Sequence, residues 1–322
     1  MTDIAVIIVN YGTPKLALEA VGSVLTREHG GRSVEVHLVD NASPGGDAAV
    51  IQSELEARGW TDRIVFHAES ENHGFGRGNN LVLKELAARE DPPHYVLLLN
   101  PDGSLENETI AVLAEFMDAH PEAGAAGAEI RKPGEEMPVT AAFRFPSMTS
   151  VAVQAVNFGP LSRAFAGSRV ALKPTAEAEE VGWVAGAAVM ARLKAWQEVG
   201  FFDPTYFLYY EETDLMLQTK RAGWETWYVP DAKAGHFEGQ ATGVKSGERT
   251  RKRHPAYLYE SWRHYFSKNH GRAYALVTAI LWLLCGMIGT VIARLRGRTP
   301  AMQLNFVGDI TGKVIWPLLT GR

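Results

Sequence analysis

The acidic run Glu211-Glu212-Thr213-Asp214 follows two aromatic residues, Tyr209 and Tyr210, at the start of a predicted helix. Carboxylates crowded into a partly apolar site hold their protons more tightly, which suits a general base that takes a proton from a sugar hydroxyl. The plain alternative is charge stabilisation of a helix N-terminus. Asn100-Pro101-Asp102 is the second signal: a carboxylate just past an apolar strand, in a loop shaped by proline, is placed to hold a divalent cation against a diphosphate. A simple Asn-Pro-Asp-Gly turn is the competing reading. Asp40, in Val39-Asp40-Asn41-Ala42-Ser43, ends another apolar run and is able to accept the imide N–H of uracil or thymine, or else to cap the next helix. Asn72-His73-Gly74-Phe75-Gly76-Arg77-Gly78-Asn79-Asn80 has three alternate glycines, as in a loop that lets backbone approach an anionic or sugar ligand. Its spacing and its place after the third strand are not those of the dinucleotide fingerprint. His236 is able to complete a metal site or to be structural.

These residues need a scaffold that gathers strand ends. Short apolar runs at 4–9, 34–39, 64–66 and 95–99 alternate with helical stretches at about 14–27, 47–58 and 78–90, which predicts an α/β fold with a Rossmann-like, mostly parallel sheet flanked by helices. Ligands of such sheets bind at the carboxyl ends of the strands, where Asn10, Asp40, the Asn72 loop and Asn100 to Asp102 lie. Residues 130–180 hold five prolines and read as loops, short strands and short helices over the sheet edge. Beyond them come an apolar run from Trp183 to Met190, a helix over 213–222 ended by Gly223, and a strand over 226–229.

The chain has 322 residues, 46% hydrophobic and 21% charged, which excludes disordered, collagenous and low-complexity classes. A lone cysteine, Cys285, excludes an intramolecular disulfide and a cysteine zinc cluster and fits a reducing compartment. The first residues lack the pattern of a signal peptide, so residence on the cytoplasmic side is expected. Net charge is −5, yet residues 245–322 carry thirteen Lys and Arg against three Asp and Glu. Within that tail, Ala273 to Ala293 are uncharged, between Lys268 and Arg272 on one side and Arg294, Arg296 and Arg298 on the other. As a helix they reach roughly 32 Å, about the thickness of a bilayer core. The tail composition therefore favours a phospholipid surface over nucleic acid, either in plane or as a single span. A buried helix or a homodimer contact is the alternative. The basic stretch Lys245 to His254, including Arg251 and Arg253, reads as a lid over a diphosphate or as a solvated or lipid-facing loop.

Taken in order, VIIVNYGT, VDNAS, NHGFGRGNN, LLLNPD, WVAGAAVM, VGFFDPTYFLYYEETDL, AGW and the later His236 resemble the serial motifs of family 2 inverting glycosyltransferases with the GT-A fold, in the bacterial rhamnosyltransferase branch. The resemblance covers roughly residues 3–270. It implies that Asn10 and Asp40 contact the donor nucleoside and that Asn72, Gly74, Phe75 and Asn79 shape the donor pocket. It makes Asp102 the surviving acid of an Asp-x-Asp metal motif whose first position is Asn100, with His236 as a further metal or diphosphate contact. Glu212 stands where the family has its catalytic aspartate, one methylene longer, with Glu211 as a substitute and Asp214 completing the motif. Gln218 replaces a usual arginine. Gly186 and Ala187 match the segment below the acceptor.

The resemblance further implies Mg²⁺ or Mn²⁺ as cofactor, dTDP-L-rhamnose as donor and a polyprenyl-diphosphate-linked saccharide as acceptor, at the cytoplasmic face of a bacterial membrane. Another UDP- or dTDP-sugar transferase, or a non-catalytic sugar-nucleotide-binding protein, is the alternative. A nucleotidyltransferase is disfavoured because Asn10 to Lys15 lacks a basic triphosphate loop. The expected division is a catalytic domain over 1–254, with halves 1–105 and 106–254, and a C-terminal helical membrane-associating region over 255–322.

Overall fold

The computed structural model describes residues 2–237 and 253–321. The elements run β1 (Ile4–Asn10), α1 (Pro14–Leu25), β2 (Val34–Asp40), α2 (Asp47–Ala57), β3 (Ile64–Ala68), α3 (Gly74–Ala87), β4 (Tyr95–Leu99), β5 (Gly103–Leu105), α4 (Thr109–Ala119) and β6 (Ala123–Arg131). Then come β7 (Pro138–Val139), β8 (Ala142–Phe143), α5 (Met148–Val156), α6 (Gly159–Ala164), β9 (Glu179–Val181), β10 (Trp183–Val184), β11 (Ala188–Arg192), α7 (Leu193–Glu198), α8 (Glu211–Arg221) and β12 (Glu225–His236). The C-terminal helices are α9 (Ala256–His270), α10 (Arg272–Leu295), α11 (Phe306–Ile310) and α12 (Trp316–Thr320).

The main sheet has the order β3-β2-β1-β4-β11-β6-β12-β5. β3, β2, β1 and β4 are mutually parallel, and β6 and β12 form a second parallel pair. β11 lies antiparallel between them, and β5 is antiparallel at the edge. The expected mostly parallel sheet is thus mixed in its second half. β1 and β4 are buried along their whole length, which is why they read as unbroken apolar runs.

Three boundaries differ from the sequence reading, each for a local reason. α3 begins at Gly74, so Gly74, Gly76 and Gly78 form its first turns and not a loop. A Cβ on Gly76 would lie 3.0 Å from that of Phe202, and one on Gly78 would lie 3.1 Å from Val9. Two of these glycines therefore let a helix pack closely. The apolar run 183–190 is broken at Ala185 to Ala187 into β10 and β11. β12 extends to His236 because a bulge between Val229 and Lys233 absorbs Pro230, which has no N–H to give to a ladder.

The chain forms two compact units, 1–143 with 172–204 and 212–246, and 144–171 with 205–211 and 247–322. Residues 144–171 thus group with the C-terminal helices, whereas the expected division has its boundary after 254. In the second unit α10 packs along α5, and a Cβ on Gly289 would lie 2.5 Å from the Val156 carbonyl. The tail is therefore part of a folded unit. α10 is the one described helix long and apolar enough to cross a membrane, and 22% of its most apolar stretch is buried.

Candidate active site

Parallel β1, β2 and β4 bring their carboxyl ends together, and the register puts Asn10 beside Asp40. Both are buried. Asn10 Nδ2 donates to Asp40 Oδ1 (2.9 Å) and to Asp47 Oδ2 (3.1 Å), while its Oδ1 accepts from the Thr13 N–H (3.1 Å). Ser43 Oγ donates to the same Asp40 Oδ1 (2.6 Å) and accepts from the Gly12 N–H (2.9 Å). Asp40 Oδ2 takes only a long 3.4 Å contact from the Ser43 N–H, so it is the oxygen placed to accept a further donor. Ser43 and Asp47 complete this network; Ser43 lay within a motif already marked, but nothing in the sequence distinguished Asp47 from an ordinary first-turn acid.

Asn72 and Asn79 direct their amides to the protein itself. Asn72 Oδ1 accepts from Gly74 N (2.8 Å) and Asn41 Nδ2 (3.2 Å), and Asn79 Nδ2 donates to the Phe75 carbonyl one turn back (2.9 Å). Asn80, the last residue of the marked glycine motif but given no role of its own there, clamps both backbone groups of Phe202, donating to its carbonyl (2.8 Å) and accepting from its N–H (3.1 Å). That clamp holds the Phe202 ring edge-on to Phe75, with centroids 5.9 Å apart.

The third strand end carries the acid. Asn100 N donates to the Ala187 carbonyl (3.0 Å), and Phe237 N to the Asp102 carbonyl (3.0 Å), so the loop is fastened on both sides. β12 pairs with β5 in a register that sets His236 opposite Gly103, immediately beside Asp102. His236 Nε2 lies 3.1 Å from Asp102 Oδ1 and 3.2 Å from Asn100 Nδ2. One imidazole nitrogen is able either to donate to the carboxylate or to accept from the amide, not both. With His236 neutral, its Nε2 lone pair and the Asp102 carboxylate are a nitrogen and an oxygen donor 3.1 Å apart, a pair that would fit a divalent cation. Among the described residues there is no cluster of three or more His, Cys, Asp or Glu side chains able to hold a metal unaided.

Glu212 lies within electrostatic reach of His236. The Gly186 N–H donates to its carboxylate, and His236 lies close enough to favour the charged form, yet burial outweighs both and pushes the carboxyl up to about 7. The residue as a whole is half-buried while its carboxyl end is enclosed. A Cβ on Gly186 would sit 1.9 Å from Glu212 Oε1 and 3.3 Å from Phe75 Cζ, so only glycine leaves room for the acid here. Glu211 and Asp214 are buried, and Asp214 Oδ1 accepts from Gln218 Nε2 (3.1 Å) where a charge partner was expected to be missing. Tyr209 and Tyr210, at φ 70° and 68°, turn the chain into α8 through two left-handed residues, at about 1–2 kcal/mol each.

The basic stretch fares differently. Arg251 lies outside the described residues. Arg253 is committed to Asp309 within the second unit, through Nε to Oδ2 (2.8 Å) and Nη2 to Oδ1 (2.6 Å), and Lys313 Nζ reaches the same carboxylate at 2.9 Å. These cations hold the Asp309 carboxyl well below the usual carboxylate range. The expected free guanidinium for a donor diphosphate is therefore a structural ion pair at Arg253.

Residues 5–168 match the model of glycosyl transferase family 2, and 95–308 that of glycosyl transferase family group 2. The chain belongs to glycosyltransferase family 2. It is 30% identical over 247 residues to N-acetylglucosaminyl-diphospho-decaprenol L-rhamnosyltransferase of Mycobacterium tuberculosis, covering 72% of this chain and 76% of that protein. It is 23% identical over 167 residues to the rhamnosyltransferase WbbL of Escherichia coli, covering 51% of this chain and 61% of the relative. Solved glycosyltransferases share its GT-A-like fold. GalNAc-T7, crystallised with UDP, GalNAc and Mn²⁺, superposes with a TM-score of 0.61 at 13% identity, over 98% of this chain and 56% of that longer one. The mannosyltransferase PcManGT of Pyrobaculum calidifontis, with GDP-Man and Mn²⁺, gives 0.56 at 14% identity, over 99% and 81%. The family 2 glycosyltransferase thus has the fold its sequence resembled, with Glu212, Asp102 and His236 gathered by strand ends and the break between β10 and β11.

Proposed function

We propose that this glycosyltransferase is an inverting, metal-dependent rhamnosyltransferase that moves L-rhamnose from dTDP-L-rhamnose to a lipid-linked saccharide at the cytoplasmic face of a bacterial membrane. The observation that carries the reading is Glu212: an enclosed carboxylate seated on the Gly186 N–H, beside the Asp102 and His236 pair. A carboxylate with a proton affinity near neutrality is suited to take the proton of an acceptor hydroxyl in a direct displacement, and a single such step inverts the anomeric centre. Asp40 would accept the imide N–H of thymine or uracil at Oδ2, a reading supported by Oδ1 being held by Asn10 and Ser43 while Oδ2 takes only a long contact. Asp102 and His236 would hold Mg²⁺ or Mn²⁺, which when bound neutralises the charge of the departing diphosphate.

The choice of rhamnose and of a lipid-linked acceptor rests on the relative from Mycobacterium tuberculosis, whose name states both. The second unit supports a membrane location through the largely exposed apolar α10. Purified protein in vesicles, given a panel of dTDP-, UDP- and GDP-sugars with a diphospho-polyprenol-linked N-acetylglucosamine acceptor, tests the reading by nucleotide release. Release from dTDP-L-rhamnose alone is expected; acceptor-dependent turnover of a different sugar nucleotide would replace the donor assignment.

A further inference from the structure

The second unit carries an open cavity of about 460 Å³ whose lining includes two arginines and a histidine. α9 contributes Arg263, His264 and Ser267, α10 its first residue Arg272, and α12 Leu318. Arg272 Nε donates to the Leu318 carbonyl, and Arg263 Nη1 makes a long 3.4 Å contact with the Lys313 carbonyl. Neither guanidinium is paired with a carboxylate among the described residues, although Glu260 also lines the cavity. Ser267 Oγ is buried and has no hydrogen-bond partner among the described residues. Two guanidiniums anchored at one edge, with the rest of their N–H groups unused and a buried hydroxyl beside them, form a donor set for a phosphate.

Two exposed apolar features of the same unit indicate how that phosphate arrives. From Val277 the exposed face of α10 continues through Ile280, Leu284, Ile288, Val291 and Leu295 at spacings of three and four, which is one stripe of a helix. Trp316 and Leu319, on either side of the lining residues Pro317 and Leu318, are 60% and 56% exposed. The other face of α10 is covered within the unit: Trp282 packs on Trp262 with centroids 5.2 Å apart, and Gly286 and Gly289 abut Phe306 and the Val156 carbonyl. A helix covered on one side cannot be ringed by lipid, whereas an apolar stripe ending in basic residues suits a helix lying in the interface.

We infer that this cavity seats the phosphate or diphosphate head of an anionic membrane lipid while the α10 stripe enters the acyl boundary in plane. The inference rests on the membrane-facing reading of the second unit and goes beyond it by naming a head-group site. Co-sedimentation of the full chain with phosphatidylcholine vesicles, with and without phosphatidylglycerol, tests it. A charge that acts only diffusely contributes about fivefold to binding, so Arg298→Gln should cost no more than that. Arg263→Gln should cost tenfold or more, because a charge-assisted hydrogen bond at a built site is lost. Arg272→Lys, with thermal unfolding measured alongside, separates loss of the site from loss of the Leu318 contact. Inorganic diphosphate should compete with the phosphatidylglycerol-dependent binding. Equal losses for Arg263→Gln and Arg298→Gln would overturn the site, as would binding indifferent to phosphatidylglycerol, which leaves the membrane face intact. Failure to bind any vesicle would overturn the membrane reading itself. Calorimetric binding of inorganic diphosphate without lipid-dependent sedimentation would assign the cavity to a soluble anion and overturn the lipid source.

Discussion

Gly186→Ala tests the positioning of the base without touching the base. The added Cβ would lie 1.9 Å from Glu212 Oε1 and 2.9 Å from its Cδ. A comfortable contact needs about 1.5 Å more, and Phe75 Cζ at 3.3 Å blocks relief by a shift of the methyl group. The backbone at Gly186 is not left-handed, so the clash alone opposes alanine. The carboxylate must therefore move by more than 1 Å, and misplacement on that scale costs on the order of 10²-fold in turnover. Overpacking should also destabilise the fold by about 1–3 kcal/mol, small enough to leave it folded. Nucleotide release at saturating donor and acceptor measures the turnover, and thermal unfolding confirms that the variant is folded. In a Glu212→Ala background the same Gly186→Ala change should cost no further activity, because the group it displaces is gone. Near wild-type turnover of the single variant, or a full 10²-fold loss in the Glu212→Ala background, would refute the reasoning.

The Glu212 carboxyl, raised by burial from 4.5 to about 7, should make turnover climb as pH rises through about 7, with that limb absent from the residual activity of Glu212→Gln. The folded state holds this proton more tightly than the unfolded chain, so the stability it contributes below about pH 4.5 should fade as pH rises through 7; denaturant midpoints at pH 5 and 8 measure it, and the Gln variant should not show the difference. Asp40→Asn should weaken thymidine diphosphate binding by about 1–3 kcal/mol in calorimetry, because Oδ2 loses its charge or turns an amide N–H toward the base. Asp102→Ala should abolish the gain in nucleotide diphosphate affinity that Mn²⁺ gives the wild type, since His236 alone cannot hold a diphosphate-bound cation; an equal gain in both proteins would remove Asp102 from the metal site.

The parallel half of the sheet was legible because its central strands β1 and β4 are buried on both faces and read as apolar blocks ended by polar residues, Ile4 to Asn10 and Tyr95 to Asn100. The second half was less so. β11 runs antiparallel between β4 and β6, a pairing that no local pattern encodes. Pro230 looked like the end of a strand, whereas a bulge carries β12 on to His236. Within the site, the identities of Glu212, Asp102 and His236 were legible from motif order, but the seat of the Glu212 carboxylate on Gly186 depends on contacts across 26 residues of sequence. The glycine motif misled, since Gly76 and Gly78 serve the packing of α3 on Phe202 and Val9. Arg253 misled likewise, because its partner Asp309 lies 56 residues away in the region expected to associate with a membrane. The membership of residues 144–171 in the C-terminal unit was illegible for the same reason: α5 is a short apolar helix whose partner, α10, is distant in sequence.

The central claim is that Glu212 is the base that activates the acceptor. Comparing Glu212→Gln with Glu211→Gln, by turnover with donor and acceptor and by donor affinity in parallel, tests it most directly. The account predicts that Glu212→Gln lowers turnover by about 10² to 10⁴ with donor affinity nearly unchanged, while Glu211→Gln keeps most of its activity. Loss of turnover in Glu211→Gln with Glu212→Gln still active would contradict it.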